Sequence, residues 1–136
     1  MNNLKTLSGL VGKPDVLIYT PNQNSKWCRE VFPMIDYLTV FSTKQEDIED
    51  GHRGAILFCV SPGIDELKTI DALFEISKKY PKKVVACFMK AYNGEVFNDV
   101  TWKSLQDSMR LLGTDHISVC ESLREAAQLV NMKCMR

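Results

Sequence analysis

The sequence predicts a three-layer α/β sandwich around a parallel sheet of about five strands, and three observations predict it. Apolar runs recur along the chain: "DVLIY" (15–19), "LTVFS" (38–42), "AILFCVS" (55–61), "KKVVACFM" (82–89) and "HISVC" (116–120). Segments with helical spacing separate them. The central runs are apolar at successive positions instead of alternating, as expected of strands covered on both faces. Strands joined through helices pair in parallel by right-handed crossovers, which places helices on both sides of the sheet.

Each element has its own signal. "SKWCREVFPMIDYL" (25–38) sets Trp27, Val31, Met34, Ile35 and Leu38 near one face, and Pro33, which lacks an N–H, should kink or end that helix. "TKQEDIEDGHRG" (43–54) is polar and reads as a loop with at most one helical turn. A helix is expected from about 65 to 80. At 100° per residue, Leu67, Ile70, Leu73, Phe74 and Ser77 make its apolar stripe, and Glu75 falls opposite with Lys68, Asp71, Lys78 and Lys79. "AYNGEVFN" reads as a loop around the Asn93-Gly94 turn signal. "DVTWKSLQDSMRLLG" reads as a helix ending at Gly113, and "ESLREAAQLV" as a helix with Leu123, Ala126, Ala127 and Val130 on one face. The arrangement expected is flavodoxin-like, a single domain spanning 1–136.

Composition excludes several classes. Lys+Arg and Asp+Glu both number 17, so no net field favours nucleic acid. No apolar run approaches the length of a membrane span. The first residues lack the charged and apolar regions of a secretory signal, so a cytoplasmic protein is expected. Five cysteines without a C-x-x-C pair read as reduced thiols, and Cys59, Cys87 and Cys120 fall in strand-like runs where thiols behave as small hydrophobes. With His52 and His116 as the only histidines, no zinc ligand set is expected, and no cofactor is called for. Neither G-x-G-x-x-G nor a P-loop is present.

In parallel sheets ligands bind beyond the carboxyl ends of the strands, so loops 20–26, 61–66 and 90–99 are the places to look. Tyr19, Asn22, Asn24, Ser25 and Trp27 border the first. Amides and a hydroxyl there suit a phosphate or sugar, and equally serve as helix caps. Ser61 and Asp65 sit in the second loop, with Asp65 also suited to capping. Asn98 and Asp99 belong to the third, with Asp99 the expected N-cap of the next helix.

Three stretches, "VLIYTPNQNSKWCREVF", "GAILFCVSP" and "TIDALFEISKKYPKKVVACF", resemble the nucleoside 2-deoxyribosyltransferase-like family. The matching residues are Tyr19 and Pro21, then Trp27 and Arg29, then Leu73, Phe74, Glu75 and Ile76, then Lys83 to Cys87. The resemblance implies chemistry at an N-glycosidic bond of a nucleoside or nucleotide. Glu75 would be the nucleophile on the anomeric carbon, because an oxocarbenium-like centre needs an adjacent carboxylate and a covalent intermediate divides the barrier. Tyr19 would position that carboxylate or the sugar. The acid that protonates the leaving base falls to Asp65, Asp71 or Asp99. The resemblance also implies a homo-oligomer, because the family often builds its sites from two subunits. A second expectation uses the scaffold without catalysis, to bind a nucleotide at the strand ends or a protein through an exposed face. A third, drawn from the fold alone, is a flavoprotein with Trp27, Tyr92 and Trp102 around the isoalloxazine.

Overall fold

The computed structural model describes residues 14–21, 26–44, 54–62, 66–112 and 117–135. Five strands form one parallel sheet: β1 (Val16–Tyr19), β2 (Thr39–Ser42), β3 (Ala55–Val60), β4 (Val84–Phe88) and the edge strand β7 (Ile117–Cys120), in the order β2-β1-β3-β4-β7. Between β4 and β7 a small antiparallel hairpin stands apart, β5 (Ala91–Tyr92) with β6 (Glu95–Val96). The helices are α1 (Lys26–Val31), α2 (Glu66–Lys79), α3 (Asp99–Leu112) and α4 (Leu123–Cys134).

The sheet has two cores because its pleat sends alternate side chains to opposite faces. On one face Val16, Ile18, Ala55, Leu57, Cys59, Val85, Cys87 and Cys120 pack against α1 and α4 through Trp27, Cys28, Val31, Ala126, Ala127 and Val130. On the other, Leu17, Tyr19, Ile56, Phe58, Val60, Val84, Ala86, Phe88 and Ile117 meet α2 and α3 through Ala72, Leu73, Ile76 and Leu105. Every residue of β1, β3 and β4 is buried, which is why those runs carry no polar alternation.

Several details depart from the sequence expectation. Pro33 does end the first helix: α1 passes into a 3-10 turn over Phe32–Met34, and Ile35 is already extended. Asn131 of α4 fastens that turn, its Nδ2 donating to the Met34 carbonyl at 3.1 Å while its Oδ1 accepts from the Asp36 N–H at 2.9 Å. The segment expected to be a plain loop at 91–96 is the β5–β6 hairpin. Asn93 and Gly94 both take positive φ, 54° and 85°, the combination that lets a two-residue turn match strand twist. The buried stripe of α2 is Thr69, Ala72, Leu73, Ile76 and Ser77. It is therefore rotated relative to the stripe expected from Ile70 and Phe74, both only half-buried. The N-cap of α3 is Asn98, not Asp99: the Asn98 Oδ1 accepts from the Thr101 N–H at 2.8 Å. Asp99 is the first helical residue, where its charge faces the positive end of the helix. Most of the polar segment 43–54 lies outside the described residues.

Candidate functional site

The carboxyl ends of β1 and β3, where strand order reverses, carry buried side chains. Tyr19 is 1% exposed, its ring 5.3 Å from that of Phe58. Thr20, Ser61 and Pro62 are buried beside it. Among the described residues two buried side-chain polar atoms have no hydrogen-bond partner, the Ser61 Oγ here and the indole Nε1 of Trp27 on the opposite face of the sheet. Of the residues singled out from sequence, Asn22, Asn24, Ser25 and Asp65 lie outside the described residues. Asn98 is occupied as the α3 cap. Glu75 and Asp71 are both exposed on the outer side of α2. Glu75 is the tenth residue of that helix, about 13 Å along its axis from the end nearest the strand carboxyl termini.

The described clefts open farther along the sheet, at the carboxyl ends of β4 and β7. An apolar groove of about 130 Å³ runs between α3 and the sheet edge, lined by Phe88, Trp102, Leu105, Met109 and Val119, with Gln106 and Glu121. A polar basin of about 290 Å³ adjoins it, walled by Met89, Lys90 and Ala91. Phe88, Trp102 and Glu121 line both. Trp102 is held from behind by Phe97, with ring centroids 5.9 Å apart and planes inclined by 26°. Glu121 directly follows the last residue of β7, so the Cys87↔Cys120 pairing fixes its backbone. Lys90 lies 3.7 Å from the Asp99 carboxylate in a solvated pair, which holds it only weakly. Sequence reasoning passed over Glu121 and Lys90. The rule that pointed to loops after β1, β3 and β4 applies equally to the residue after β7, and that was the available signal.

No family model matches the chain, and no curated protein or solved structure shows a significant match to it. The reading of the site therefore rests on its own geometry.

A second polar feature lies beneath the α1–α4 face. Cys59, Cys87 and Cys120 occupy paired positions on three adjacent strands, so their side chains form a row across the sheet. The Cys120 thiol donates to the Ala86 carbonyl at 3.8 Å. All five cysteines are buried, and none forms a disulfide. Burial pushes the Cys28 thiol from 9.0 up to about 12, against a hydrogen bond with Thr20 that pulls the other way. Burial likewise raises Cys59. The hydrogen bond with Cys87, and then burial, raise Cys120. For Cys87 the bond with Cys120 pulls downward, but the bond with Cys59 together with burial carries it up. Such thiols stay protonated and are poor nucleophiles. Among the described residues, no three His, Cys, Asp or Glu side chains are grouped so as to hold a metal ion, and no helix is long and apolar enough to cross a membrane.

Proposed function

We propose that this protein is a non-catalytic binding module for a nucleoside or nucleotide, held at the carboxyl edge of the sheet between β4, β7 and α3. One observation carries the reading: Phe88, Trp102 and Glu121 belong to both the apolar groove and the polar basin. A flat heterocycle and its polar sugar-phosphate need just this adjacency. The half-buried Trp102 offers a ring face, and stacking a base on such a face is worth about 1–3 kcal/mol. Few polar groups converging on an apolar slot are the usual make-up of a small-molecule site. This reading involves no bond cleavage and does not use Glu75, which lines neither described cleft.

Fluorescence and thermal shift test it together. Trp27 is 1% exposed and serves as an internal reference, so ligand stacking is expected to quench the Trp102 emission alone. Ligand at a hundredfold excess over Kd adds about 2.7 kcal/mol of stability, a shift of several degrees in Tm for a domain of this size. Trp102→Ala and the milder Trp102→Phe should abolish and weaken binding respectively. A panel of nucleosides and nucleotides that shifts neither signal overturns the proposal.

A further inference from the structure

We infer that the cleft selects a base whose edge presents two adjacent N–H donors, as guanine does, with Glu121 accepting both and Lys90 facing the phosphate of a 5′-nucleotide. The inference rests on the nucleotide reading of the same cleft and adds to it which base and which end of the ligand each group takes. Among the residues lining groove and basin, Glu121 is the one carboxylate and Lys90 the one cation. Both line the basin, where the carboxylate takes donors and the ammonium takes negative charge.

Glu121 makes no side-chain hydrogen bond or ion pair with a described residue, so both carboxylate oxygens are open to a ligand. An ionised carboxylate only accepts. Guanine sets a ring N–H and an exocyclic amine side by side, matching two carboxylate oxygens in a charge-assisted pair. Hypoxanthine keeps the ring N–H and loses the amine. Adenine sets its amine beside a ring nitrogen whose lone pair opposes the carboxylate. Groove chemistry agrees with this orientation, since Phe88, Trp102, Leu105 and Met109 offer the ring apolar and aromatic contacts and compete for none of its donors. Lys90 is available for phosphate because its partner Asp99 is a solvated side chain at 3.7 Å, an interaction a bound phosphate readily displaces.

Calorimetric titration of the intact protein with GMP, IMP and AMP at pH 7 tests the assignment. GMP should bind about tenfold tighter than IMP, as expected for one charge-assisted hydrogen bond at a partly solvated site, and AMP should bind weakest. Glu121→Gln should bring GMP and IMP within about threefold of each other. Glu121 is exposed, so a urea midpoint matching the parent's will show that the fold is intact. Lys90→Gln should weaken all three nucleotides alike and leave guanosine unchanged. Equal affinities for the three, or a GMP preference that survives Glu121→Gln, overturn the base assignment; the cleft reading stands if Trp102 is still quenched. Failure of every nucleotide to quench Trp102 overturns both.

Discussion

Four buried thiols give the protein a specific alkaline weakness. The sign follows from the direction of the shifts. Cys28, Cys59, Cys87 and Cys120 are all raised in the folded chain. Their protonated form is favoured by folding, so their contribution is complete below the unfolded value near 9 and is lost as pH climbs above it. For Cys28, with 9.0 unfolded and about 12 folded, the loss at pH 10 is about 1–2 kcal/mol. The other three are raised as well and act in the same sense. Urea unfolding under argon with reductant, at half-unit steps from pH 7 to 10.5, should show a flat stability to about pH 8.5 and then a steep fall. The Cys28 loss alone should lower the midpoint at pH 10 by roughly 1 M relative to pH 7, with the other thiols adding to it. Cys28→Ala lowers stability throughout, but it should also reduce the alkaline slope. A stability profile flat to pH 10, or a slope that Cys28→Ala leaves unchanged, would refute the reasoning.

Other perturbations test the packing directly. Gly54→Ala brings a Cβ to 2.7 Å from the Cys134 Sγ and 3.1 Å from the Asp15 carbonyl oxygen, and should cost about 1–3 kcal/mol by overpacking. Adding Cys134→Ala should recover part of that loss, measurable as coupling in a double-mutant cycle of urea midpoints. Asn131→Ala frees the Met34 carbonyl and the Asp36 N–H. It should cost about 1–3 kcal/mol and increase amide exchange at Asp36. Glu75→Gln, on the exposed face of α2, should change stability by less than about 0.5 kcal/mol and leave nucleotide affinity as it was.

The sheet was legible because burial on two faces leaves an unmistakable run of apolar residues. "AILFCVS" and "VVACF" lead straight to β3 and β4. Where backbone geometry decides instead, the reading slips. The sequence run 82–89 includes Lys82 and Lys83, yet Lys82 holds a φ of 72° and the Lys83 N–H donates to the Tyr80 carbonyl, closing a turn before β4 begins. The hairpin at Asn93-Gly94 was visible as a turn but not as strands, since two-residue strands have no periodicity to detect. The candidate site was less legible for a related reason. Trp102 was noticed as an aromatic, but what gives it a role is its meeting with Phe88 and Glu121, which come from other elements. That adjacency exists only once α3 has folded across β4 and β7, and no local motif encodes it.

The described clefts open at the sheet edge. At the reversal between β1 and β3, Tyr19, Thr20, Ser61 and Pro62 are buried at the strand ends. At the other end, β7 has one strand neighbour, so α3 packs over a sheet that stops beneath it. Leu105 reaches the core, but Val119 of β7 remains 44% exposed on that same side. The space between them is the apolar groove. A strand also delivers its next residue to its own carboxyl end, and after Cys120 that residue is Glu121, set against Trp102 without any bond to hold it elsewhere. An apolar slot at a sheet edge would ordinarily be a liability for association. In the proposed reading, Glu121 and the Lys90 of the adjoining basin suit that slot to a ligand that is flat at one end and charged at the other.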